Sequence, residues 1–131
     1  MNEHDDDPVV EALEASLKQP FVLADRYSDI VRIRPKSGGT FSVVFKAMDR
    51  STRKSVLLKF YHDANGGHDL YRITKFQQEP EMMKGLLGQR RCVQLVDDLA
   101  KHPVSIMVSG KSSVIQLDYF VIDWLDVDVM D

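Results

Sequence analysis

The sequence has a single cysteine, Cys92, so no disulfide can form within the chain, which fits a reducing compartment such as the cytoplasm. It has no excess of basic charge: 17 lysine and arginine residues against 20 aspartate and glutamate residues give a net charge of −3. With that balance, nothing draws the chain as a whole to nucleic acid or to an anionic membrane. No apolar run approaches the ~18–20 residues needed to span a bilayer. The stretch Met1 to Asp7 is not expected to be a secretory signal, because it carries Glu3, Asp5, Asp6 and Asp7 and no basic run before an apolar core. There is no internal repeat. These absences set the expectation of a soluble cytoplasmic protein. What is present, 131 residues of which 44% are hydrophobic and 28% charged, has the size and composition of a single globular domain.

Hydrophobic periodicity divides the chain. Asp7 is a good helix N-cap and Pro8 suits the first helical position, where its missing N–H has no partner to lose. Val9, Val10, Leu13 and Leu17 follow at helical spacing, and Pro20 ends the stripe. From Tyr27 the period becomes two. Val31 and Ile33 alternate with Arg32 and Arg34, which predicts a first strand, broken by the Pro35–Gly39 stretch. After Pro35-Lys36-Ser37-Gly38-Gly39, Phe41, Val43, Phe45 and Ala47 alternate with Ser42, Val44 and Lys46 as a second strand. Asp49 to Lys54 is a turn, and Ser55 to Tyr61 a third strand with Val56, Leu58 and Phe60 on one face and Leu57, Lys59 and Tyr61 on the other.

Asp69 can cap a helix carrying Leu70, Ile73 and Phe76, with Pro80 expected to kink it or to begin a new one. Val93, Leu95 and Val96 read as buried-strand or turn material, and Val104 to Val108 and Val114 to Leu125 as two further strands around the turn at Ser109-Gly110-Lys111-Ser112. The expected fold class is α+β: a mostly antiparallel sheet of five strands, an N-terminal extension over residues 1–26 and a domain over 27–131.

The loop Ser37-Gly38-Gly39-Thr40-Phe41-Ser42 would let backbone N–H groups approach a phosphate closely, although Gly-Gly between alternating strands is more often just a hairpin turn. Lys59 adds to it. A lysine inside the apolar run Val56-Leu57-Leu58-Lys59-Phe60 must reach a partner or escape to solvent, and the following helix offers Glu79 and Glu81.

In this order the motifs resemble the N-terminal, ATP-binding lobe of protein kinases. Gly39-Thr40-Phe41-Ser42-Val43-Val44-Phe45-Lys46-Ala47 is similar to the second half of the glycine-rich loop and its outgoing strand, and Val56-Leu57-Leu58-Lys59 to the Val-Ala-Ile-Lys motif. Phe120-Val121-Ile122-Asp123-Trp124-Leu125 resembles the fifth strand running into the hinge. The resemblance implies that the loop at Gly38, Gly39, Thr40, Phe41 and Ser42 covers the phosphates of ATP. It also implies that Lys59 pairs with the α- and β-phosphates and that a helix glutamate holds Lys59. Glu81 is favoured for that role by its spacing to Leu86 and Leu95, with Glu79 as the alternative. Val44 and Leu57 would line the adenine slot, Ile122 would stand at the gatekeeper position, and Asp123, Trp124 and Leu125 would form the hinge. Leu57 and Lys59 share strand parity, as such a slot requires.

The chain departs from that pattern in three ways. Ser37 and Ser42 stand where the first and third loop glycines are expected, and Leu57 stands where alanine is usual, so three extra carbons intrude on the slot. No His-Arg-Asp, Asp-Phe-Gly or Ala-Pro-Glu follows Trp124, so the base, the Mg²⁺ ligands and the substrate platform would have to come from a C-terminal lobe. With that lobe the expected reaction is transfer of the ATP γ-phosphate to a protein hydroxyl, serine or threonine by default; this chain alone should be inactive. The rival reading is a pseudokinase-like module that binds a partner protein, or itself, through apolar surface, with little or no nucleotide. A third is an unrelated β-rich binding domain without a Lys59–glutamate pair. His4, His62, His68 and His102 lack ligand-like spacing with one another or with Cys92, so no metal site is expected.

Overall fold

The apolar stripes and alternations generate seven elements among the described residues. The computed structural model describes residues 8–33, 42–62, 70–85 and 94–124. In chain order these form α1 (Pro8–Ser16), β1 (Tyr27–Ile33), β2 (Ser42–Asp49), β3 (Lys54–Tyr61), α2 (Leu70–Lys84), β4 (Leu95–Val108) and β5 (Lys111–Asp123). The strands make one 5-stranded sheet in the order β1-β2-β3-β5-β4, every neighbouring pair antiparallel. The α+β expectation therefore holds.

Strand parity gives the sheet two unlike faces. On one, Val43, Phe45, Ala47, Val56, Leu58, Phe60, Leu117, Tyr119 and Val121 are buried together with Val10, Leu13 and Leu17 of α1. Leu13, Leu58 and Phe60 are fully excluded from solvent, and burying side chains of this size stabilises by roughly 1.5–3 kcal/mol each. Phe60 anchors the layer, stacked on Tyr119 at 4.9 Å and edge-on to Phe45 at 5.6 Å. On the other face stand Val44, Lys46, Leu57, Lys59, Phe120 and Ile122, only Phe120 of them fully buried. There α2 lies across the β3–β5 end, with Phe76 against Tyr61 at 5.3 Å and Phe120 at 5.1 Å.

The sequence pattern is interrupted at three places. In β1 the alternation does not carry through: Val31 is 56% exposed, while Ile30 is buried. The register of β1 on β2 slips between Ser28 and Val31, and Asp29 takes a φ of 53°, so an extra residue on β1 turns the alternation over. Pro80 does not begin a new helix: it lies inside α2, which is one element from Leu70 to Lys84 with the Pro80 ring buried. The fourth strand is much longer than Val104–Val108. Two register slips, one between Leu95 and Asp97 and one between Asp97 and Ala100, together with Pro103, hide its period, and an edge strand tolerates all three. The hairpin that follows turns on Ser109 and Gly110, with φ of 51° and 79°, the pair of positive values a two-residue hairpin loop demands.

One polar lock ties the N-terminal segment to the β2–β3 turn. The Asp49 carboxylate is 1% exposed and accepts from Arg26 Nε at 2.9 Å and Nη2 at 2.8 Å, and from Ser51 N at 3.0 Å and Oγ at 2.8 Å. The Arg26 hydrogen bonds hold it ionised far below the usual carboxylate range.

Candidate functional site

Lys59 is carried on the central strand β3, on the half-open face. Antiparallel pairing sets it opposite Val44 of β2 and Phe120 of β5, so its stem lies between two apolar side chains and its head leans out over them. Its Nζ is 5.5 Å from the centre of the Phe120 ring. It donates to Glu79 Oε2 at 2.8 Å and Oε1 at 3.2 Å, both carboxylate oxygens sharing one ammonium. The pair is partly open, with side-chain exposures of 23% for Lys59 and 41% for Glu79, so water reaches it.

Glu79 is the alternative glutamate; Glu81, preferred on spacing, does not meet Lys59. It accepts instead from Lys84 at 2.8 Å on the outer side of α2. Lys84 also pairs with Asp98, and those two partners raise its pKa to about 12. Helix geometry explains the choice. Phe76 packs on the Tyr61 and Phe120 rings of the sheet, and Glu79, three residues on, shares its side. Glu81 lies five residues on, about 140° further round. The position of Phe76 was the signal that could have separated the two carboxylates.

The next rung of the same face is Lys46, Leu57 and Ile122, paired in register across β2, β3 and β5. Leu57 thus stands one step along the sheet from the ion pair, half-buried, with Val44 diagonal to it. Beyond Ile122, the Asp123 N–H donates to Gln94 O at 2.9 Å and the Trp124 N–H to Ser55 O at 3.3 Å, fixing the end of β5 beside the start of β3. The Trp124 ring lies under Lys46, whose Nζ is 4.8 Å from its centre. The structure therefore gathers Val44, Leu57, Lys59, Glu79, Ile122 and Trp124 on or beside one patch of sheet. Gly38, Gly39, Thr40, Phe41 and Leu125 lie outside the described residues, and Ser42 is described in its backbone only.

Away from this patch, a groove between α1 and the β1–β2 pair is floored by Leu17, Ile30 and Phe45 and lined by the Glu14–Arg32 ion pair at 3.1 Å. His102 is buried, its Nε2 3.0 Å from Ser16 Oγ, and Phe21 and Phe60 flank its ring. Ser16 Oγ already donates to Leu13 O at 2.7 Å, so His102 Nε2–H is the donor to it. Burial alone lowers the His102 pKa. Among the described residues no group of three or more His, Cys, Asp or Glu side chains is arranged to hold a metal ion. Nor is any helix among them long and apolar enough to cross a membrane. His4, His68 and Cys92 are outside them.

Compared with known proteins, the chain matches no family model and no curated sequence.

Proposed function

We propose that this chain is the nucleotide-binding lobe of a protein kinase-like enzyme, which with a C-terminal lobe transfers the ATP γ-phosphate to a protein hydroxyl. The observation that carries the reading is the ion pair of Lys59 with Glu79, formed between the central strand and the helix that follows it, and flanked by Val44 and Leu57 on the same face. A pair in this place gives an ammonium fixed in direction by a carboxylate, which is what orienting the α- and β-phosphates requires. The sheet order and the helix α2 described between β3 and β4 support the resemblance read from the sequence. Asp123 and Leu125 would meet the base; because the Asp123 N–H is taken by Gln94, its contribution would come from the carbonyl. The loop at Gly38–Ser42 would cover the phosphates, and Mg²⁺ would be bound mainly by the C-terminal lobe.

Leu57 favours a second reading, a pseudokinase-like module that binds a partner protein. Its side chain takes space on the base-binding part of the face, and overfilling a pocket costs about 1–3 kcal/mol, or one to two decades of affinity. Titration calorimetry of the chain with Mg·ATP separates the two readings. Binding in the micromolar to millimolar range that is lost in Lys59→Ala supports the nucleotide lobe. No heat in either protein, with concentration-dependent oligomers in sedimentation, supports the module. Leu57→Ala should tighten nucleotide binding about tenfold if the slot is the one described.

A further inference from the structure

The rung that holds Leu57 has a consequence for how a nucleotide would enter, and it rests on the nucleotide-lobe reading. Lys46 stands on β2 and Trp124 just past the end of β5, so β3 lies between their backbones. Neighbouring strands are roughly 4.8 Å apart, so β2 and β5 are separated by about twice that distance. For Lys46 Nζ to sit 4.8 Å from the Trp124 ring, the two side chains must together bridge over β3 near Leu57 and Ser55. They do so on the face that carries Val44, Leu57 and Ile122, across the rungs on either side of the Val56–Asp123 pair whose Asp123 backbone a base would have to reach. Both side chains are half-buried, held by the attraction of an ammonium for an indole face.

We propose that Lys46 and Trp124 form a bar across the base end of the site, and that Lys46 is a specificity-determining residue which keeps the slot shut until the bar opens. Lys59 and Glu79, one rung away, remain accessible to a polyphosphate while the bar is closed. The unliganded protein thus prefers the phosphate part of a nucleotide over its base. A bound base must displace the ammonium from the indole, and the cost of that displacement lowers affinity for nucleoside triphosphates relative to plain triphosphate.

The test uses the full chain and the variants Lys46→Met and Lys46→Ser, titrated separately with Mg·ATP and with Mg·tripolyphosphate. Melting curves establish that each variant folds. Trp124 is the only tryptophan, so its fluorescence reports the bar directly. Both variants should bind Mg·ATP at least threefold tighter than the parent and Mg·tripolyphosphate no tighter, with the Trp124 emission already shifted before ligand is added. Loss of a cation should by simple attraction weaken binding of an anion, so a gain specific to ATP has no electrostatic explanation. Equal or weaker ATP binding in Lys46→Met, with Lys59→Ala still abolishing it, would overturn the bar and leave the nucleotide lobe standing. Absence of ATP binding from the parent and from both Lys46 variants would overturn the nucleotide-lobe reading, and the bar with it.

Discussion

The two faces of the sheet are built from the same strands, residue by residue in alternation, and they differ in almost everything else. On the α1 face, Leu58, Phe60, Val56 and Val121 meet Val10, Leu13 and Leu17 in a layer closed to water. On the opposite face, Leu57, Lys59 and Val44 are only partly covered, and α2 reaches just the Tyr61–Phe120 end. The first face does the work of stability. The second carries two lysines and a carboxylate on apolar ground, a combination that is a poor way to stabilise a fold and a good way to meet an anionic ligand. A face that keeps chemistry accessible has to give up burial, and here the loss is made good on the other side of one strand layer.

Mutations on the two sides should therefore behave differently. The largest loss of stability is expected for Leu13→Ala or Leu58→Ala, each leaving a cavity in the closed layer and costing about 2–5 kcal/mol in urea unfolding. If Leu13→Ala costs less than 1 kcal/mol, α1 is not part of the core and the contrast between the faces fails. Asp49→Ala comes next at about 2–3 kcal/mol, because it strands Arg26 and two donors of Ser51 next to a buried site; the loss is tempered by water reaching Arg26, which is 33% exposed.

The pH response should also belong to the α1 face. His102 is held neutral by burial, so the unfolded chain binds its proton more readily. Its contribution to stability is fully present above the ordinary histidine pKa of about 6.5 and falls as pH drops below it, by at most about 1.4 kcal/mol per unit. Melting temperature followed from pH 7.5 to 5 should decline, and the decline should flatten in His102→Gln. A profile unchanged by that substitution assigns the acid sensitivity elsewhere. Smallest of all should be Lys59→Met, which removes a water-exposed ion pair and should change stability by less than about 1 kcal/mol. The same substitution should remove Mg·ATP binding in calorimetry, so stability and ligand binding separate cleanly only if the open face is the functional one.

Much of this molecule was readable before its structure. Strict alternation in Ser42–Asp49 and Lys54–Tyr61 assigns the two faces, because a strand can satisfy it only by turning each set of side chains to one side. The stripe of Val10, Leu13 and Leu17 likewise demands an apolar surface to lie on. Where the alternation is interrupted, the sequence misleads: the slip at Ser28–Val31 reverses Val31, and the slips in β4 hide that Leu95 and Val96 belong to the same strand as Val104–Val108. Such irregularities cost little locally and are decided by the partner strand.

From composition and spacing alone come one domain, a five-stranded α+β sheet and a lysine in need of a partner. The tertiary structure alone decided the rest. Helical spacing from Phe76 ranks Glu79 above Glu81 only once Phe76 is known to be turned to the sheet, which the sequence does not say. Once Phe76 is docked on Phe120, the rotation of α2 is set and only Glu79 faces Lys59. The meeting of Lys46 with Trp124 was equally hidden, because it joins residues far apart in the chain that only the β2–β3–β5 register brings together.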